Sequence, residues 1–229
     1  MKISILSVAP PYRGGIAEQT YHLCMNLKDN HSIEIINFKK QYPKFLFPGK
    51  TQFDNFSKLH LENSYRFVDS TNPFSWIKTS KYIINSGPDV VILRFWNPFF
   101  SISYSSIIKK IKKALPKTKV IAICDNIIPH ERSFFDRGLI NLLFKYIDGF
   151  IVMSDQVEEE LLLIRPDSRY KKLFHPITPK QQKYTKQAAK DKLGIREKKV
   201  ILFFGFIRGY KGLDILIKSN KFLERDLKD

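Results

Sequence analysis

Cysteine is scarce: Cys24 and Cys124 are the only two in 229 residues. Their spacing makes no zinc or redox motif, so reduced thiols and a cytoplasmic setting are expected. No apolar run approaches the roughly 20 residues that a membrane-spanning helix needs. The opening stretch Met1–Ala9 has strand length, too short for a secretory signal with its cleavage site. Acidic residues are also few. Asp and Glu number 22 against 39 Lys and Arg, giving a formal net charge of +17 and a pI near 9.8. Such a surplus predicts an anionic partner: phosphorylated small molecules, a membrane surface or nucleic acid. The usual nucleic-acid modules are absent, so no nucleic-acid partner is expected. Walker and Gly-x-Ser-x-Gly patterns are missing too, which argues against P-loop and serine-hydrolase chemistry. His22, His31, His60 and His175 have no ligand-like neighbour in sequence, and no metal site is expected.

What is present alternates between short apolar runs and helix-length amphipathic segments. Ile3–Val8, Ile33–Phe38, Asp89–Arg94, Lys119–Cys124 and Gly149–Met153 read as strands. Between them, Ile16, Thr20, Leu23 and Leu27 fall at helical spacing, and Pro73 suits the first position of a helix ending at Gly87-Pro88. Further helices are expected over Ile102–Leu115, around Leu139–Tyr146, and after a cap at Ser154 or Asp155. Residues 39–64, basic and aromatic, read as a long loop. This order predicts an α/β fold, a Rossmann-like doubly wound parallel sheet whose ligands bind beyond the strands' carboxyl ends. The stretch from Pro179 to Lys192 is polar and reads as a connection, followed by a second sheet from Lys199. The expected domains are therefore residues 1–178, a connection over 179–198, and the start of a second domain over 199–229.

Three segments carry candidate chemistry. After the first strand, Pro10-Pro11-Tyr12-Arg13-Gly14-Gly15-Ile16 opens a helix; adjacent glycines admit a ligand close to the backbone. It is not the Gly-x-Gly-x-x-Gly dinucleotide signature. Cys124-Asp125-Asn126-Ile127-Ile128-Pro129-His130-Glu131-Arg132 is dense in titratable groups at a strand end. Finally, the apolar run Val200–Phe204 stops at Gly205, is followed by Arg208 and Lys211, and leads into a second glycine, Gly212. This last segment reads as a buried strand, a phosphate-sized basic turn and a helix striped by Leu213, Leu216, Ile217 and Leu223.

The string Phe-Phe-Gly-x-x-Arg-x-Tyr-Lys-Gly-Leu-Asp closely resembles the opening of the nucleotide-sugar lobe in GT-B glycosyltransferases of the family 4 kind. The glycine pair after Pro-Pro, and the loop at 124–131, resemble the same family more weakly. The resemblance runs the length of the chain and is strongest over Ile201–Leu216. It implies an acceptor-binding domain followed by the first strand and helix of a Rossmann-like donor domain. It also implies retaining transfer from a nucleotide diphosphate sugar to a hydroxyl acceptor, a sugar or lipid-linked molecule, in polysaccharide or glycolipid synthesis. Gly205, Arg208 and Lys211 would bind the donor phosphates, Gly14 and Gly15 would form an acceptor or nucleotide loop, and no cofactor or metal is implied. The absence of Asp-x-Asp argues against the metal-dependent GT-A class. Where the family's loop reads His-Asn-Val-x-Pro-His-Glu, this chain has Asp125 at the first histidine, the position near the reacting sugar. Asp125 and His130 are the catalytic candidates. The family's later Glu-x7-Glu motif is not found, so the donor lobe is expected to be incomplete. The alternative expectation is a non-catalytic truncated module that self-associates or binds a partner chain or membrane.

Helix 102–115 carries Lys109, Lys110, Lys112 and Lys113 around an Ile107, Ile108, Ile111 and Leu115 stripe. With Lys39, Lys40, Lys44, Tyr42, Phe45 and Phe47, it suggests peripheral docking at the inner face of the plasma membrane.

Overall fold

The computed structural model describes residues 1–43, 51–54, 59–129, 133–177, 184–205 and 207–226, and over 220–226 only the backbone and Phe222. Lys44, Phe45, Phe47 and His130, singled out above, lie outside the described residues, as does the Leu223 side chain. The chain divides into two compact units, Met1–Thr178 and Pro179–Asp229.

In the first unit the order is β1 (Lys2–Leu6), α1 (Gly15–Leu27), β2 (Ser32–Lys40), β3 (Ser64–Asp69), α2 (Pro73–Ser86), β4 (Val90–Phe95) and α3 (Ser101–Ala114). Then follow β5 (Lys119–Cys124), α4 (Asp136–Phe144), β6 (Gly149–Val152), α5 (Asp155–Ile164) and β7 (Tyr170–Lys172). The strands form one parallel sheet in the order β3-β2-β1-β4-β5-β6-β7. This is the doubly wound arrangement that the alternation of elements predicts. Caps fall where the sequence places them. The Asn72 side chain accepts the Phe74 N–H ahead of Pro73, Gly87 closes α2 at φ 61°, and Ser154 accepts the Val157 N–H.

Alternation along each strand divides the core in two. Leu6, Ile36, Leu93, Ala122 and Val152 face α2 to α5 and pack with Tyr104, Ile107, Ile108, Ile140, Phe144 and Leu161. Ile3, Ile5 and Ile35 face α1 and pack with Ala9, Cys24 and Leu23. Each Val, Leu, Ile or Phe among them, removed from water, contributes about 1.5–3 kcal/mol. Burial also pushes the Cys24 thiol up to about 12 and raises that of Cys124, so both are inert core residues.

Three expectations are corrected. Residues 39–64 do not form one loop, because β2 continues to Lys40 and β3 begins at Ser64. In β3 Val68 is buried in the core while Tyr65 and Arg66 are exposed, whereas β7 is exposed along its length and exists through its pairing with β6. The Ile107, Ile108 and Ile111 stripe of α3 is wholly buried in the core, so it offers a bilayer nothing. Tyr42 is likewise internal. Its hydroxyl accepts the Trp96 indole N–H at 3.0 Å, and its ring packs on Phe99 and Phe100.

The second unit contains α6 (Lys186–Leu193), a 3-10 turn at Gly209–Lys211 and α7 (Leu213–Asp226). The stretch read as a connection thus carries a helix, capped by Thr185 and by Gly194, with no buried residue. The expected strand Val200–Phe204 does not form. These residues pair with no strand among the described residues, and Val200, Ile201, Leu202 and Phe204 are exposed. A strand exists only by virtue of its neighbours. The second Rossmann-like sheet is therefore not present among the described residues of this unit, although the helix after it is.

Candidate functional site

β1 is flanked by β2 on one side and β4 on the other, and the chain leaves β1 for one side and returns to the other. A crevice opens at such a switch point, beyond the carboxyl ends of the two strands. The turn after β1 lines it and is held from below by Asn37 of β2. The Asn37 Oδ1 accepts the Ala9 N–H (3.2 Å) and the Phe38 N–H (2.8 Å), while its Nδ2 donates to the Ala9 (3.0 Å) and Pro10 (3.2 Å) carbonyls. The pairing of β2 with β3 shifts register at Asn37/Phe38, a local irregularity in the strand at the residue that makes these bonds.

Residues 51–54 hold the turn from another side. Arg13 N–H donates to the Gln52 carbonyl (2.8 Å) and Asp54 N–H to the Pro11 carbonyl (2.9 Å). Tyr12 packs on Phe53 with ring centroids 4.8 Å apart, and the Arg66 guanidinium stands 4.8 Å from the Phe53 centroid. The Pro10-Pro11 peptide is cis. Gly14 follows at φ 120°, ψ 164°, a backbone region essentially restricted to glycine. Among the described residues no side chain caps α1, and a Cβ at Gly14 or Gly15 would meet nothing within 4 Å. Backbone geometry demands glycine at 14, and both positions leave open space at the start of the helix.

One turn along α1 from Gly15 stands Gln19, and it joins a polar chain across the crevice. Arg94 near the end of β4 is buried, with its side chain 3% exposed, and pairs with Asp125, whose side chain is 14% exposed. Its Nε donates to Asp125 Oδ2 at 3.0 Å and its Nη2 to Asp125 Oδ1. The same Nη2 donates to Gln19 Oε1 at 2.5 Å. With its oxygen so occupied, Gln19 has only its amide NH2 to offer, and this meets His175 Nε2 at 3.0 Å. The imidazole accepts there, leaving Nδ1 to carry the proton beside the Pro176 carbonyl at 3.3 Å. Burial raises the Asp125 carboxyl above the ordinary aspartate range, and the Arg94 charge and hydrogen bonds pull the other way. The anion that stands where the resemblance would place an imidazole is therefore neutralised by a buried guanidinium.

The loop after β5 is set by α5. Glu160, 9% exposed, accepts the Ile127 (3.3 Å) and Ile128 (3.0 Å) N–H groups through Oε2 and holds the Gln156 amide through Oε1. This fixes the chain just before His130. On the α1 side of the sheet, Ile123, Ile151 and Met153 line an open, largely apolar cleft of about 280 Å³ together with Leu173, Phe174 and Ile177.

Asp125, Gly14 and Gly15 thus share one carboxyl edge and are tied together by residues not singled out beforehand: Arg94, Gln19 and His175. Arg94 had a legible signal, a cation closing an otherwise apolar strand. Gln19 and His175 had none, being ordinary polar residues 156 positions apart.

In the second unit, Gly205 has φ 130°, Arg208 precedes the 3-10 turn, and Lys211 ends it with Nζ 5.3 Å from the Tyr210 ring centroid. Gly212 at φ 70° then hands the chain to α7. Arg208 and Lys211 are both exposed.

No family model and no curated protein matches the sequence. Among solved structures, similarity is found to an alpha-glucosyltransferase in complex with UDP and mismatched DNA, with TM-score 0.48 and 14% identity over 74% of this chain and 40% of that one. The same holds for an alpha-glucosyltransferase (AGT) in complex with UDP, with TM-score 0.46 and 14% identity over 80% and 42%. A sucrose-phosphate synthase from Thermosynechococcus elongatus gives TM-score 0.44 and 12% identity over 77% and 90%. The chain spans about two fifths of the length of the two alpha-glucosyltransferases. Likeness of this degree assigns no activity to the chain.

Proposed function

We propose that this protein takes part in glycosyl transfer from a nucleotide diphosphate sugar to a hydroxyl acceptor, with the unit Met1–Thr178 serving the acceptor. The observation that carries the reading is the glycine turn at the switch point, open at Gly14 and Gly15 and tied through Gln19 to the buried Arg94–Asp125 pair. A doubly wound sheet binds its ligands there, and the uncapped start of α1 suits hydroxyls or an anion. In this reading Asp125 positions Arg94 and the loop leading to His130, and His130 contacts the sugar. Arg208 and Lys211 offset the negative charge that grows on the leaving phosphate, a task that charged side chains perform without a metal. Retention of configuration, a polysaccharide or lipid-linked acceptor and a cytoplasmic location follow the family resemblance.

Calorimetry on the full chain with UDP and with GDP tests the donor side. Each charge-assisted bond is worth about 1.5–3 kcal/mol, so Arg208→Ala and Lys211→Ala should each weaken binding by roughly tenfold or more. Unchanged affinity in both variants would overturn the donor-phosphate assignment. A second reading, a non-catalytic module that binds a partner chain, draws on the exposed run Val200–Phe204. Light scattering separates the two: that reading requires association that Leu202→Ser and Phe204→Ser abolish.

A further inference from the structure

The helix layer formed by α2, α3 and α4 carries an unusual surface. Neither α2 nor α3 contains an Asp or Glu. The single carboxylate of α4, Asp136, accepts the Ser133 N–H at 2.6 Å. Lys112 is taken up by Asp148 at 2.7 Å, whereas Lys81, Lys109, Lys110 and Lys113 are exposed.

Each helix of a parallel sheet begins where the preceding strand ends, so the starts of α2, α3 and α4 lie along the carboxyl edge. At those starts large apolar side chains face outward. Phe74, in the first turn of α2, is 82% exposed, and Ile102, in the first turn of α3, is also exposed. Phe134 and Phe135, leading into α4, are 96% and 71% exposed. An isolated exposed side chain needs no explanation, but a row along one edge, backed by unopposed lysines, marks an interaction surface. Apolar tips beside cations match the two layers of a bilayer surface, hydrocarbon below anionic headgroups. The aliphatic Ile102, and rings at the starts of separate helices, suit hydrocarbon better than a groove that stacks bases.

We propose that the outer face of α2, α3 and α4 docks on an anionic lipid bilayer, with Phe74, Ile102, Phe134 and Phe135 entering the interface and the lysines meeting the headgroups. The apolar row lies along the same carboxyl edge as Gly14, Arg94 and Asp125, so docking would place that edge at the membrane border. The surface stands independently of the glycosyl-transfer reading.

Flotation of the full chain with phosphatidylcholine vesicles, with or without phosphatidylserine, tests it. Binding is expected only to the mixed vesicles and should weaken as salt shortens the screening length. A near-surface lysine contributes about fivefold in affinity, so Lys81→Gln with Lys109→Gln, Lys110→Gln and Lys113→Gln should lose at least about a hundredfold. The control Lys186→Gln with Lys190→Gln and Lys192→Gln should lose far less, and far-UV circular dichroism confirms that both sets fold. In a Phe135→Trp variant, indole emission should shift to the blue on mixed vesicles. Equal binding to neutral vesicles, equal loss in the control set, or an unshifted emission would overturn the proposal. So would tighter, lysine-dependent binding to a short DNA duplex than to the mixed vesicles.

Discussion

Arg94 and Asp125 face one another across neighbouring strands, joined through two nitrogens of the guanidinium and both carboxylate oxygens. Arg94 is in register with Ile123, and the Asp125 N–H donates to the Phe95 carbonyl at 2.8 Å, so the ladder runs one residue past the end of β5. Backbone pairing thus sets the carboxylate against the guanidinium, Gln19 of α1 accepts from Arg94, and His175 from the segment after β7 joins through Gln19.

Removing one member of this pair should be costly. Asp125→Asn leaves a buried guanidinium without its counter-charge, at about 3–5 kcal/mol. Chemical denaturation checks this, and a loss comparable to that of a surface substitution would count against the pair's structural role.

The pair also predicts a pH dependence. Burial raises the Asp125 carboxyl in the folded chain, so the folded state holds its proton more tightly than the unfolded state does. Stability from this group is then highest below the unfolded pKa, about 3.9, and falls as pH rises toward the folded pKa. Arg94→Met removes the main influence that holds the carboxyl down, so the decline should extend to higher pH. The variant's melting temperature, relative to the native chain, should be higher in mildly acid than in mildly alkaline buffer.

The two glycines should behave differently. Gly14→Ala forces a side chain into a region of φ and ψ that only glycine occupies comfortably, at about 1–3 kcal/mol. Gly15→Ala meets no neighbour and shortens the unfolded chain's list of conformations, so stability should hold or rise by about 0.4–1 kcal/mol. If the crevice takes a ligand at this turn, Gly15→Ala should lose that binding while remaining folded. Thermal melts with and without ligand separate the two effects.

Asn37→Leu should loosen the turn. It strips the Ala9 N–H and two carbonyls of their partner, at about 2–4 kcal/mol in all. Amide exchange at Ala9 and Tyr12 should quicken, while exchange at Ile107 in the core stays slow.

Amides of Val200–Phe204 should exchange at the rate of unprotected chain, whereas those of Ile5, Ile36 and Leu93 are protected by the sheet. Without a partner strand their N–H groups have no ladder to join. Strong protection at Ile201–Leu202 in a monomer would contradict this.

Much of the first unit was legible in the sequence by itself. Lys119–Cys124 reads as a strand because both faces are covered and nearly every residue is apolar; Pro73 and Gly87 bracket a helix because proline presets φ and glycine accepts a left-handed turn. These are local rules, carried by neighbours within a few residues. Gly14 and Gly15 were legible for the same reason. Strands β3 and β7 were not: β3 lies within a basic, aromatic stretch and buries only Val68 fully, and β7 has no buried face, so that pairing to β6 makes it a strand. Val200–Phe204 erred the other way: apolar enough for a strand, it pairs with no strand among the described residues. The polar chain Asp125–Arg94–Gln19–His175 was decided wholly by tertiary structure. Its members come from a strand, a loop, a helix and the segment after β7, and hydrogen bonds act over about 3 Å of space whatever the separation along the chain.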